Sequence, residues 1–350
     1  MNPWRLALRA ERWRARIGRG LAARLGGNGT VYVHERADEY RRYWEDGARR
    51  VGAELVPLTP AIWEVRRGDR RVRIANHATP CDDPATRQLA GDKPWCHDLA
   101  RRVGIPVPDY IVVGGSDLEP ARAFFDVRKG PLVVKPARDT SSGLGVTTMV
   151  DRWSRLVRAV ALASLYGREV MIERMVAGET CRLLFLDGRM IHAVRRRGLR
   201  VEGDGRRSLA ELASGAVSLG DPNARFTLAA SGRARTDVPA AGESVLIRGL
   251  PPSTRRTREL RTVYDETVTA SCSPDLVSEL LPLLGALGTE FAGIDIITND
   301  LGKPLRASGG TFLEINTTPG IHHHYITPDD FAVNPVANQV LAYLLGPGRA

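Results

Sequence analysis

The run Thr311-Phe312-Leu313-Glu314-Ile315-Asn316-Thr317-Thr318-Pro319-Gly320 carries a carboxylate and a carboxamide two residues apart on an apolar segment that stops at a Pro-Gly turn. On a strand, residues two apart share a face, so Glu314 and Asn316 point the same way. A second strand-like run, Phe291 to Thr298, ends at the turn Asn299-Asp300-Leu301-Gly302 and offers a third oxygen donor, Asp295. Two carboxylates and one amide oxygen suit a hard cation. Magnesium takes few protein oxygens and completes its shell with water and phosphate, which three such donors leave room for.

A second chemical feature lies upstream. Val133-Val134-Lys135-Pro136 ends an apolar strand at a lysine, just before Arg138-Asp-Thr-Ser141-Ser142-Gly143-Leu-Gly145. A glycine-containing loop presents backbone N–H groups and hydroxyls to phosphate oxygens, and a neighbouring lysine adds a point charge. Downstream, His322-His323-His324 follows the Pro-Gly turn. On an extended chain adjacent imidazoles diverge, a poor geometry for a three-histidine metal site. One of them, His322 or His324, is instead a candidate to bind a substrate carboxylate or to take a proton from an amine.

The elements that must position these groups read as three lobes. An arginine-rich helix is expected from Met1 to about Leu25, with Trp13, Ile17, Leu21 and Leu25 in a stripe that would dock on the next lobe, an interfacial or targeting helix being the alternative. Next come a strand at Val31–His34, a helix at Ala37–Val51 and strands at Glu54–Leu58, Ile62–Val65 and Val72–Ala75, then a helix opened by Asp92-Lys93 that runs to Val103. The central lobe reads as strands at Leu132–Lys135, Val146–Val150 and Glu169–Glu173 around a helix at Arg152–Tyr166. A hairpin turns at Asp187-Gly188, residues 198–269 read as a large loop region, and the helix Pro274–Leu287, the two donor strands and a helix at Pro335–Leu345 close the chain.

Composition bounds the rest. The chain has 350 residues, 43% of them hydrophobic, enough for two or three compact lobes. No run reaches the roughly eighteen apolar residues of a membrane span. The net charge of +10 comes from arginine, lysine occurring only at Lys93, Lys129, Lys135 and Lys303, and no nucleic-acid-binding motif accompanies it. Cys81, Cys96, Cys181 and Cys272 are widely spaced without a Cys-x-x-Cys pair, which points to reduced packing residues and a cytoplasmic setting.

Gly293-Ile294-Asp295, Lys303-Pro304-Leu305, Gly309-Gly310 and Glu314-x-Asn316-x-x-Pro319-Gly320 occur in the order found in ATP-grasp carboxylate–amine ligases, and most resemble the ATP-grasp module of cyanophycin synthetases. The resemblance runs from about Lys93 to the C-terminal helix. It implies an α/β fold of the α+β kind: a basic helix at 1–28, a small α/β domain at 29–91 and an ATP-grasp domain at 92–346, with a lid at about 131–176 and a catalytic lobe at 177–346. It implies ATP and Mg2+, in two ions with Mn2+ as a substitute, held through Asp295, Glu314 and Asn316.

The resemblance places Lys93, Lys135, Ser141, Ser142, Gly143 and Gly145 at the phosphates. It places Glu173, Met175 and Val176 behind adenine, and Glu179 near the ribose. Relatives often carry Asp-Lys-x-x-x-Lys where this chain has Asp92-Lys93-Pro-Trp-Cys-His97. Arg182, Arg195 and Arg248 match arginines that flank the catalytic pocket, while D-alanine–D-alanine ligases put an arginine where this chain has Gly293. The Asn-x-Ser-Thr-Gly-Gly element of relatives is replaced by Pro251-Pro252-Ser253-Thr254-Arg255-Arg256. The implied activity joins a small-molecule or peptide carboxylate to an amine through an acyl phosphate, with no nucleic-acid partner and a homo-oligomer left open. A kinase acting on a hydroxyl and a degenerate nucleotide-binding scaffold stand as alternatives.

Overall fold

The computed structural model describes residues 3–24, 37–114, 117–127, 130–140, 143–196, 198–215, 219, 222–248, 265–325 and 335–346. The expectations at Leu25, Val31–His34, Ser141, Ser142 and Pro251–Arg256 lie outside these residues. Every described strand pair is antiparallel.

The first lobe is a meander of β1 (Glu54–Thr59), β2 (Ile62–Arg67) and β3 (Arg70–Ala75). The helix Ala37–Arg50 buries Tyr40, Tyr43 and Trp44 against it, and the Trp44 indole donates to the Asn76 carbonyl at 2.7 Å. The closing helix Val336–Leu344 joins the same core. The two helices cross so closely that a Cβ on Gly47 would sit 3.0 Å from Ala337, so a small residue is required there.

The central lobe is a sheet of β4 (Tyr110–Gly114), β5 (Leu132–Pro136), β6 (Thr147–Val150) and β7 (Glu169–Arg174), in the order β4-β7-β5-β6. Helices Glu119–Val127 and Trp153–Ala163 cover it. The N-terminal helix, Pro3–Arg24, does dock, but on this lobe and by a different face from the expected stripe. Leu8 is buried in the central core and Trp4 meets Trp153 edge-on at 5.5 Å, whereas Trp13 and Ile17 are 67% and 47% exposed.

The third lobe holds β8 (Glu179–Leu186), β9 (Arg189–Arg196), β12 (Asp265–Thr267), β13 (Phe291–Thr298) and β14 (Thr311–Thr317), in the order β12-β9-β8-β13-β14. One face packs on helices Pro274–Leu287 and Lys93–Arg102. Ser273 caps the first of these, Pro274 sits in its first turn, and Gly288 ends it at φ +73°, a conformation glycine adopts freely.

Between β9 and β12, where a loop region is expected, the described residues build a small unit instead. β10 (Leu199–Glu202) and β11 (Ser244–Arg248) pair, and helices Leu209–Leu212 and Pro222–Ala230 close a core of Leu209, Ala224, Leu228, Val245 and Ile247. None of the helices is long and apolar enough to cross a membrane, among the described residues.

Candidate active site

Strand register assembles the first half of the site. Asp295 at the middle of β13 lies opposite Glu314 on β14 and opposite Arg182 on β8. Cross-strand partners share a face, so these three side chains converge. The Arg182 guanidinium forks onto Asp295, Nε to Oδ1 and Nη2 to Oδ2 at 2.6 Å each, and Nη2 stands 3.8 Å from Glu314 Oε1. Arg182 and Asp295 are buried, while Glu314 remains partly exposed. Burial would raise the Asp295 pKa, but the Arg182 charge and hydrogen bonds outweigh it and hold the carboxyl well below the usual range. The Asn316 amide donates to Glu314 Oε1 at 3.3 Å, which places its own oxygen beside the carboxylate.

Gly293 explains how the arginine fits. A Cβ there would lie 3.3 Å from both Arg182 Cδ and Pro319 Cβ. The space over position 293 is filled by an arginine from the neighbouring strand.

The lid side supplies the cations. Asp92 caps the helix Lys93–Arg102 by accepting from Trp95 N at 3.0 Å, and Lys93 N donates to the Ala137 carbonyl just past β5. The start of this helix is thereby fixed beside the strand that carries Lys135. Lys93 Nζ donates to Thr140 O and Oγ1 at 3.2 and 3.1 Å. Its pKa is lowered by burial, against the pull of the Glu314 charge, and further by Lys135. Glu314, Lys93 and Lys135 therefore share one electrostatic environment.

Glu173 sits beneath them. Its Oε1 accepts from Lys135 Nζ at 2.8 Å, and its Oε2 stands 3.5 Å from His97 Nε2. Burial pushes this carboxyl up, yet Lys135 foremost, with His97, brings it to about 2. His97 is fully buried, with Nδ1 on the Lys93 carbonyl at 2.9 Å, and burial lowers its pKa. Glu173 Oε2 and His97 Nε2 are buried polar atoms with no hydrogen-bond partner among the described residues. His97, the departure from the lysine pattern, thus backs the Lys135–Glu173 pair. The Met175 amide is committed to the Pro131 carbonyl at 3.0 Å. In the loop after Lys135, Gly143 and Gly145 adopt φ +72° and +74°, and a Cβ on Gly145 would lie 2.8 Å from the Tyr166 ring.

Three expected residues, Arg195, Glu179 and Arg248, stand elsewhere. Arg195 is registered with Cys181, and Cys181 with Ile296, residues that face the helix Pro274–Leu287. A period of two sends Arg195 to the face opposite Arg182. There it bridges Glu179 at 2.9 Å and Glu266 at 3.0 Å, so Glu179 is held away from the Asp295 face as well. Arg248 ends β11, in the separate two-stranded sheet.

The arginine that does share the Asp295 face is Arg196, registered with Thr180, which in turn pairs Ile297. Its charge helps to lower the Asp295 pKa. The parity of β9 was the signal that identifies it.

The histidine triplet forms a 3-10 turn, not an extended chain. His322 Nδ1 meets the Tyr40 hydroxyl at 2.5 Å, and His324 Nδ1 meets His192 Nδ1 at 2.9 Å, a contact in which one ring donates and the other accepts. His324 is fully buried; burial, then the neighbouring His192, Arg182, His322 and Arg196, hold its pKa well below 6.5.

The donor set fits a hard cation completed by phosphate: Asp295, Glu314 and Asn316 supply oxygens on one face, with lysines opposite. Among the described residues no group of three His, Cys, Asp or Glu side chains could hold a metal by itself.

The chain is similar to known proteins in sequence and in fold. Residues 99–200 match the family model described as D-ala D-ala ligase C-terminus. A cyanophycin synthetase from Synechocystis is 30% identical over 275 residues, covering 75% of this chain and 31% of that protein. A bifunctional glutathione biosynthesis protein from Streptococcus mutans is 25% identical over 249 residues, covering 65% and 31%. The chain thus spans about a third of the length of the curated relatives it matches. Among solved structures, a bifunctional glutathione synthetase from Pasteurella multocida superposes with a TM-score of 0.56 at 21% identity, covering 84% of this chain and 41% of that one.

Proposed function

The chain belongs to the ATP-grasp ligases, a family that uses ATP and Mg2+, and from that premise we propose that it activates a small-molecule or peptide carboxylate as an acyl phosphate and joins it to an amine. The observation that carries the reading is the convergence of Asp295, Glu314 and Asn316 with Arg182 on one sheet face, electrostatically coupled to Lys93 across the cleft.

In this reading Lys93, Lys135 and the Ser141–Gly145 loop receive the ATP phosphates. Glu173 is assigned to the adenine amine, while Met175 and Val176 line the base. Asp295, Glu314 and Asn316 would hold Mg2+, in two ions with Mn2+ able to replace it, and the metal would supply neutralisation of phosphate charge. The donor carboxylate oxygen attacks the γ-phosphorus and ADP leaves. The Arg182 charge, held in place by Asp295, stabilises the transferred phosphoryl group together with Arg196. The amine then attacks the acyl carbon, loses a proton and expels phosphate. The buried, neutral His324 and its partner His192 stand near Arg182 to orient the acceptor. Arg195 and Glu179 form a structural ion cluster in this scheme, and Arg248 has no assigned step.

Hydroxylamine trapping tests the reading. With a pool of amino acids and short peptides, ATP and Mg2+, the donor is expected to accumulate as its hydroxamate with stoichiometric ADP. ADP formation with a phosphorylated alcohol and no hydroxamate would instead establish a kinase.

A further inference from the structure

The N-terminal helix has two apolar faces, and the fold uses only one. Trp4, Leu8 and Ala15 lie along the inner side, where Leu8 enters the central core, Trp4 meets Trp153, and Arg12 Nε donates to Ser164 Oγ at 3.0 Å. Leu6, Ala10, Trp13 and Ile17 follow the spacing i, i+4, i+7, i+11, so at about 100° per residue they form a second stripe on the opposite side. Leu6, Trp13 and Ile17 are 53%, 67% and 47% exposed. Because the inner face is fastened to the helix Trp153–Ala163, this outer stripe points away from the protein body.

Charge says what covers it. Arg9 and Arg16 project about 60–80° to one side of the stripe and Arg14 about 80° to the other, a level at which long stems reach sideways from an apolar seam. All three are exposed. The groove beyond Arg14 continues with Arg158. The acidic group nearest this rim is Glu11, which already pairs with Arg14 at 2.8 Å and Arg158 at 3.6 Å. Cations on both flanks of an indole-bearing stripe match a plane of anionic headgroups over an apolar layer, whereas an acidic protein groove would need its charges on two separate walls.

We propose that this helix lies on an anionic lipid bilayer, with Leu6, Trp13 and Ile17 in the headgroup–acyl boundary and Arg9, Arg14 and Arg16 among the headgroups. The protein body would then sit at a membrane surface.

The test is co-sedimentation of the full chain with phosphatidylcholine vesicles, with and without phosphatidylglycerol. We expect binding to the phosphatidylglycerol vesicles alone, weakened by added salt, and reduced at least about tenfold in Trp13→Glu/Ile17→Glu. That variant should keep the wild-type melting temperature, since neither side chain is buried. A separate Arg9→Gln/Arg16→Gln variant should lose the preference for anionic vesicles while keeping its fold. Binding that survives Trp13→Glu/Ile17→Glu would overturn the proposal. So would a lowered melting temperature in that variant, which would mean that the chain itself covers the stripe. A shift from dimer to monomer without lipid, or binding to an acidic protein in place of vesicles, would assign the stripe to a protein contact and equally overturn it.

Discussion

Two arginine–carboxylate clusters occupy opposite faces of the same five-stranded sheet, and their difference is one of strand parity. Arg182 on β8 grips Asp295 with two bonds, both residues almost wholly buried. Arg195 on β9 bridges Glu179 and Glu266 with side chains 21%, 28% and 44% exposed. The first cluster keeps a fixed charge that little water can screen, and the proposed function puts the phosphate there. The second is a solvated tie between strand ends. Residue type is the same in both, so burial and face are what distinguish them, and the proposed function assigns the chemistry to the buried one.

The sharpest way to break that contrast is to delete each arginine. Arg182→Ala leaves the Asp295 carboxylate buried without its partner and should cost about 3–5 kcal/mol of stability as well as activity. Arg195→Ala should cost about 0–1 kcal/mol and leave kcat within about threefold. Urea unfolding and steady-state turnover of the two variants check this, and equal losses would show that the faces are not distinct.

Substituting the carboxylates probes the same face directly. Glu314→Gln and Asp295→Asn should each lower kcat by about a hundredfold or more, whereas Glu266→Gln should not. Near-normal turnover of both variants at saturating magnesium would remove Asp295 and Glu314 from the metal assignment. Smaller still, Lys135→Ala should weaken ATP binding by about 1.5–3 kcal/mol, read by calorimetry, with acceptor KM little changed. An unaltered nucleotide affinity would leave Lys135 as a partner of Glu173 alone.

The smallest effect is in pH. His324 has its pKa lowered, so the unfolded chain binds the proton more readily and stability falls as pH drops below 6.5. Glu173 is lowered from 4.5 to about 2, so its contribution is complete above 4.5 and is lost between 4.5 and about 2. Thermal melts of His324→Asn should therefore be flatter than wild type as the pH falls below about 6.5. The same slope in both proteins near pH 6 would mean that His324 is not held neutral.

Much of this site was legible because its strands are strongly patterned. Phe291–Thr298 and Thr311–Thr317 are apolar runs that carry Asp295 and Glu314 and stop at the turns Asn299-Asp300-Leu301-Gly302 and Pro319-Gly320, and Ser273-Pro274 with Gly288 brackets the helix between β12 and β13. Other parts lacked a local signal. Tyr110–Gly114 has a β-prone run in Tyr110-Ile-Val-Val, but it follows Pro106-Val-Pro108, and its place beside β7 is set by the tertiary fold. The helix Pro84–Gly91 has no apolar stripe and is set by its Asp83 cap and its packing beside β14. Arg195 lies on the other sheet face from Arg182, which a motif does not reveal. Adjacent arginines at 195 and 196 are equivalent in a motif and opposite in a strand, and only the register with Cys181 and Thr180 separates them. His97 was visible as a departure, but its contact with Glu173 joins a helix to a strand and needs the tertiary fold.

Carboxylate activation on the Asp295 face is tested most directly by isotope transfer. With oxygen-18 in both carboxyl oxygens of the donor found by hydroxamate trapping, turnover with ATP and the amine is expected to release phosphate carrying one labelled oxygen, the other remaining in the amide. Unlabelled phosphate, with the label retained in full by the product, would contradict an acyl-phosphate route.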